Sequence, residues 1–184
     1  MSDYKEKDIV IRLPEGRTIR DIRWLSIWSR QVHANLGHVF ISPDIPIPRP
    51  LELPPLTGFA HGIRSGPISI IDAQTILVTD FVYDGLGPAG YWWVTRGTRQ
   101  SPQGHRLKDE NDTPKPLRQY NGESFLIRLP DTKTVYDFDW FGVYCEEFQV
   151  DFGHVRLPQH LRVPPSPRML GLTPEVRKDN LLYI

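Results

Sequence analysis

Apolar and polar positions along this chain repeat with a period of two rather than 3.6. Residues 68–71, 75–83, 91–95, 123–129, 134–145 and 148–157 are short runs rich in β-branched and aromatic side chains, bounded by Gly, Pro, Asp and Asn clusters. They predict strands at the spacing of a sandwich or barrel, and no window carries a helical stripe of about ten residues or more. The expected fold class is all-β: an antiparallel, sandwich-like domain with a Pro-rich linker and a C-terminal tail.

The same pattern is written twice. Laying residues 11–39 on residues 127–155 gives ten identities in 29 ungapped pairs: Ile11/Ile127, Arg12/Arg128, Leu13/Leu129, Pro14/Pro130, Thr18/Thr134, Asp21/Asp137, Trp24/Trp140, Gly37/Gly153, His38/His154 and Val39/Val155. In the second copy Phe148, Val150 and Phe152 alternate on one face until Gly153, after which Val155 and Leu157 take the opposite parity. A glycine at such a switch predicts a bulge. The first copy repeats the device with Val32, Ala34 and Leu36, then Gly37, then Val39 and Ile41.

Residues 1–42 therefore read as the C-terminal part of an incomplete first domain. Its strands, expected over 9–13 and 19–28, lack a sheet to pair with and present apolar edges, so they either dock on the complete domain or drive self-association. Residues 43–55, PDIPIPRPLELPP, hold six prolines. Proline withholds backbone donors, so 43–57 read as a semi-rigid spacer. Residues 58–158 form the complete domain, and 159–184 read as a Pro-containing, disordered tail.

Composition narrows the partners. Lys and Arg number 22 against 22 Asp and Glu, so no net field draws the chain to nucleic acid or to a membrane surface. No run reaches the about 18 to 20 apolar residues of a spanning helix. The opening MSDYKEKD is too charged for a secretory signal. Asn111-Asp112-Thr113 is a glycosylation sequon that matters only in a secreted protein.

Candidate chemistry is sparse. A single cysteine excludes an internal disulfide and no ligand set suggests a metal site. Cys145 shares a strand face with Phe141 and Val143, while Ser29 takes its place in the first copy. That favours a small buried hydrophobe. The functional alternative is a redox thiol or a ligand, which needs thiolate character that the adjacent Glu146 and Glu147 oppose. His154 could approach the thiol across a hairpin, yet two ligands make no closed zinc site. A histidine bonded to a backbone carbonyl at the bulge is the plainer account. Heme ligation by Cys145 or His154 is chemically allowed.

Trp92, Trp93 and Tyr91 could form an aromatic platform for sugar rings, against the commoner outcome of core packing. Gly85, Gly87 and Gly90 meet the G-x-G-x-x-G spacing. Pro88 and the strand-like YWWV that follows replace the helix that motif needs, so a tight turn is expected. Asp80, Asp84, Asp109, Glu110 and Asp112 lie in or beside loops without a visible partner or cleft, so no catalytic activity is expected of the chain alone.

Four segments then occur in a recognisable order: SGPISIIDAQTILVTDFVYDGLGPAGYWWVTRG, the G-x-x-L-K-D-E stretch at 104–110, LRQYNGESFLIRLP and DWFGVYCEEFQVDFGHVRLP. Over residues 58–158 they resemble the DM-thirteen domain, and the first 42 residues resemble the closing third of a second copy. Paired DM-thirteen domains followed by a DOMON domain are the layout of the Skeletor and Knickkopf group, and this chain resembles a fragment or short isoform of it.

The resemblance implies a β-rich module with a structural or assembly role, either in an extracellular cuticle or chitin matrix or in a nuclear spindle matrix. DOMON domains, matrix proteins and chitin are the partners it suggests. It further implies that Cys145 is a redox thiol or binds a prosthetic group such as heme, making an electron-transfer accessory domain the second reading. A carbohydrate-binding module is the third. Because Ser29 departs from the family cysteine, any such activity is expected in the second copy only.

Overall fold

The computed structural model describes Ile11, Leu13, Pro14 and residues 17–130 and 133–169. They divide into two compact units, one up to Ile47 and one from Pro48. Among the described residues the regular structure is strand, apart from three short 3-10 turns. No helix among them is long and apolar enough to cross a membrane.

The first unit is an antiparallel hairpin of β1 (Trp24–Ser29) and β2 (Ala34–Phe40). A 3-10 turn at Ile19–Asp21 leads into it. The Asp21 carboxylate accepts hydrogen bonds from the Thr18 amide at 2.6 Å and the Thr18 hydroxyl at 2.9 Å. These bonds hold its carboxyl below the usual carboxylate range. Ile27 faces Gly37 but Trp28 faces Asn35, which leaves Leu36 as the extra residue of a bulge. Trp24, Ile27, Trp28, Leu36 and Phe40 are each more than half exposed.

The second unit packs two antiparallel sheets. One holds β3 (Leu51–Pro55), β5 (Pro67–Asp72), β6 (Thr75–Tyr83) and β9 (Tyr120–Arg128), in that order. The other runs β4 (Thr57–Gly58), β11 (Val150–Arg156), β10 (Trp140–Cys145), β7 (Gly90–Thr95) and β8 (His105–Arg106). Ile68, Ile70, Ile76, Val78, Phe81 and Tyr83 from the first sheet meet Trp92, Val94, Phe141, Val143, Cys145 and Phe152 from the second in one core. Each large apolar side chain so buried contributes roughly 1.5–3 kcal/mol.

Strict alternation would turn Phe81 and Tyr83 away from Ile76 and Val78. A slip between Val78 and Phe81 corrects the parity: Asp80 takes φ 47 and its amide binds the Ser124 hydroxyl at 3.0 Å. On the outer face of the second sheet, Tyr91, Trp93 and Tyr144 form a smaller buried cluster. The loop over residues 96–104 packs against it. The Ser101 carbonyl accepts from the Trp93 indole at 3.0 Å, and Gly104 lies where any Cβ would strike that indole.

The β10–β11 pair repeats the first hairpin residue for residue, bulge included: Val143 faces Gly153 and Tyr144 faces Asp151. His33 and Gln149, equivalent turn residues, share a positive φ of 49 and 54.

Several expectations change. Residues 134–139 are not strand, because Thr134 and Asp137 close a 3-10 turn at Val135–Asp137, as the identical Thr18 and Asp21 do. Residues 43–57 are not wholly spacer. Leu51–Pro55 is an edge strand in which Leu51 faces Ile70 and Leu53 faces Ile68, and an edge tolerates prolines that donate nothing. Nor is residue 158 the end of the folded unit. Leu161 and Val163 are buried, and the Pro164 carbonyl accepts from the Ala73 amide at 2.9 Å.

Residues 170–184, the rest of the expected tail, lie outside the described residues. Of the strand expected at 9–13 only Ile11 and Leu13 are described, and neither is in a strand. Phe148 and Val150 are exposed, because Phe148 belongs to the turn joining β10 and β11.

Two substitutions test this packing. Gly104→Ala should lower the unfolding free energy by about 1–3 kcal/mol and raise acrylamide quenching of tryptophan fluorescence, as the loop is pushed off Trp93. Leu161→Ala with Val163→Ala should cost roughly 2–5 kcal/mol in chemical denaturation, whereas a tail that is not part of the core would leave the midpoint unchanged.

Candidate functional site

Cys145 closes β10, facing Gly90 on one side and Val150 on the other. Its side chain is wholly buried. Trp92 faces Val143, so Trp92 and Cys145 are diagonal neighbours on the inner face, a relation that spaces Cα atoms by roughly 7–8 Å. Tyr83, at the end of β6, is the titratable neighbour. Burial pushes its phenol up, the bond to the Gly87 backbone opposes this, and negative charge at Asp84 or Cys145 adds to the rise.

The glycine-rich loop is built around that phenol. The Tyr83 hydroxyl accepts from the Gly87 amide at 3.0 Å and faces the Gly87 carbonyl at 3.4 Å. A Cβ on Gly87 would stand 2.5 Å from both the Tyr83 oxygen and the Phe152 ring. Bare backbone is therefore needed to seal this end of the core, and the segment that follows is β7 rather than a helix. The spacing serves a turn.

At the rim, Asp84 accepts from the Leu86 amide at 2.8 Å and lies 3.1 Å from His61 Nδ1. The His61 ring sits 4.3 Å from that of Phe152 and 6.0 Å from that of Tyr83. His61 and Asp84 keep 27% and 38% of their side chains in solvent. Sequence reading missed His61 and Tyr83. Asp84 stood out only as a loop carboxylate, and nothing local signals a partner 23 positions away.

His154 does not join the thiol. It faces Gly142, whose parity on β10 is opposite to that of Cys145, so the two side chains leave opposite faces of the sheet. Its partner is a carboxylate rather than a backbone carbonyl: Nδ1 lies 2.5 Å from Asp151 Oδ2, while Asp151 Oδ1 accepts from the Gly153 amide at 3.0 Å. An ionised carboxylate only accepts, so Nδ1 carries the proton. Asn35 clamps the first copy with the histidine bond reversed: its Oδ1 accepts from the Gly37 amide at 3.0 Å and its Nδ2 donates to His38 Nδ1 at 3.0 Å. His154 also packs on Trp140 and Phe59, with ring centroids 4.7 and 5.2 Å away. These bonds account for both histidines as clamps on the bulge.

The sugar platform is not presented either. Trp92 is 0%, Trp93 3% and Tyr91 8% exposed. Trp92 stacks on Phe141 at 5.2 Å and Trp93 on Tyr144 at 5.3 Å. Tyr91 lies 3.8 Å beneath the Arg106 guanidinium, which pairs with Glu146. The surroundings of Cys145 do not fit a heme. Cys145 is fully buried, and its cross-strand partner Gly90 has Tyr83 and Phe152 where a Cβ would stand, so side chains already fill this part of the core. Among the described residues no three His, Cys, Asp or Glu side chains converge on a metal position.

Comparison with known proteins accords with this architecture. The family described as Electron transfer DM13 matches residues 1–41 and 55–157. Protein Skeletor, isoforms B/C, of Drosophila melanogaster is 48% identical over 181 residues, covering 98% of this chain and 23% of that protein. Its isoforms D/E are 48% identical over the same length, with 12% of the protein covered. The chain thus spans under a quarter of the curated relatives it matches. No solved structure matches it. A repeated bulged hairpin, joined to further strands of two sheets only in the second unit, which carries the single cysteine, coincides with a two-segment match across most of the sequence, and the chain belongs to the DM13 family.

Proposed function

We propose that the second unit is an electron-transfer module of a Skeletor-like protein, with Cys145 as the group that changes redox state. The observation that carries this is the place of the thiol in one core cluster with Tyr83, Trp92, Phe141 and Phe152, whose rings offer it a path for electrons. Thiol–disulfide exchange requires a second sulfur to reach the first, and burial closes that route. Aromatic rings and backbone surround the thiol instead, and electrons cross such material where a thiolate partner or a macrocycle cannot enter. The name of the family agrees with the proposal. Ser29 in the first unit confines the activity to the second.

The first unit favours a second role, in assembly. Leu25, Ile27 and Leu36 correspond to Phe141, Val143 and Phe152, which β7, β4 and the facing sheet bury in the second unit. In the hairpin they remain exposed, beside unpaired strand edges that offer a β-rich partner both hydrogen bonds and apolar area. A matrix setting, cuticular or spindle, is the context we propose, with DOMON domains, matrix proteins or chitin as its further components.

Each role has its measurement. Under anaerobic titration with ferricyanide the folded protein should consume more oxidant than Cys145→Ser, while a bulky disulfide reagent labels the thiol only after unfolding. Equal consumption by the two proteins would remove Cys145 from the redox role. In sedimentation velocity the intact chain should associate with rising concentration, and Trp28→Lys with Leu36→Lys should return it to monomer. A wild-type protein that stays monomeric throughout would sink self-association through the hairpin.

A further inference from the structure

Tyr120 opens β9 almost fully buried, and its hydroxyl donates to Glu110 Oε2 at 2.7 Å. The other Glu110 oxygen accepts from Arg118 at 2.9 Å, and that guanidinium lies 4.2 Å over the Tyr120 ring. Glu110 keeps 13% of its side chain in solvent, so the pair sits at the edge of the core. Burial first, then the Glu110 carboxylate, pushes the phenol well above its ordinary value, and it rests protonated at neutral pH. A phenol that loses an electron becomes strongly acidic, and here a carboxylate is already placed to take the proton across one hydrogen bond.

Behind Tyr120 the rings continue inward. Phe81 is 5.1 Å from Tyr120, and Trp92 is 4.7 Å from Phe81, measured between centroids. Trp92 carries an anomaly. Its indole N–H is buried without a hydrogen-bond partner among the described residues, a cost that packing alone does not explain. An oxidised indole with no acceptor retains its proton, so the hole is not trapped there. It passes to the ring whose proton can leave.

We propose that Tyr120 and Glu110 form a proton-coupled one-electron redox site, the outer end of a ring path through Phe81 and Trp92 that reaches the core beside Cys145. An external one-electron acceptor of the transition-metal-complex class, held at the surface, takes an electron from the buried Trp92 across the intervening protein. An electron from Tyr120 then refills the indole while the phenolic proton moves to Glu110. The net change is Tyr120 phenol plus Glu110 carboxylate to Tyr120 phenoxyl radical plus Glu110 carboxylic acid, with the acceptor reduced by one electron. The proposal rests on the electron-transfer reading of the second unit and supplies its route, independent of what Cys145 does.

Laser-flash oxidation by photogenerated tris(bipyridine)ruthenium(III), followed by transient absorption and freeze-quench electron paramagnetic resonance, tests it. In the wild type a tryptophan radical should decay into a tyrosyl radical. In Tyr120→Phe, which keeps the ring, the tryptophan signal should persist and the tyrosyl yield collapse. Glu110→Gln, which keeps the shape but removes the base, should slow tyrosyl formation by roughly a hundredfold. An undiminished tyrosyl yield in Tyr120→Phe overturns the proposal, as does an unchanged rate in Glu110→Gln. Cys145→Ser separates the two readings: a normal Tyr120 radical in that variant upholds this site even where ferricyanide titration has removed Cys145 from the redox role.

Discussion

The central strands β7 and β10 have almost no side chain in open water, and the rest of the second unit follows from that constraint. A strand buried on one face needs a facing sheet, which β5, β6 and β9 supply. A strand buried on both faces needs a second cover, and here loops provide it. A loop can lie that close to a sheet only where it carries no side chain, which is the physical reason for Gly104 against Trp93 on the outer face, and Gly87 does the same against Tyr83 and Phe152 at the end of the core. The glycine spacing that imitates a nucleotide motif is a packing requirement of aromatic residues.

The repeat turns the same constraint into a comparison within one molecule. Both hairpins share register, bulge, turn conformation and the capping pair of threonine and aspartate, so these features come from local sequence alone. What differs is the surroundings. In the second unit neighbouring strands bury the hairpin, while in the first its apolar residues stay exposed. Local chemistry fixes the shape of the element, and neighbouring strands decide whether it becomes core or surface.

Function follows the same division. The buried thiol, the sealed Tyr83 and the Tyr120–Glu110 pair belong to a core whose aromatic rings are within about van der Waals reach of one another. On the proposed electron-transfer reading, chemistry in such a core would pass through electrons and single protons, because no bulky reactant can enter. His154 and His38 hold the bulges of their hairpins. Each is held by a side chain three residues earlier, which also caps the amide of the bulge glycine.

Period-two alternation and glycine punctuation by themselves determined β5, β6, β7, β9, β10 and β11 of the second unit to within a few residues, the bulge beside Gly153 and the shared design of the two hairpins, because these depend on backbone preferences within a few residues. Burial of Cys145 was legible too, from its parity with Phe141 and Val143. Tertiary structure alone decided which proline-rich segment joins a sheet edge, how Leu161 and Val163 return to the core, and on which face His154 lies relative to the thiol. It alone also decided that His61 meets Asp84 and that Tyr120 finds Glu110. The physical reason is sequence distance: hydrogen bonds and ring contacts between residues many positions apart leave no periodic trace, since either partner taken singly looks like an ordinary loop or strand residue.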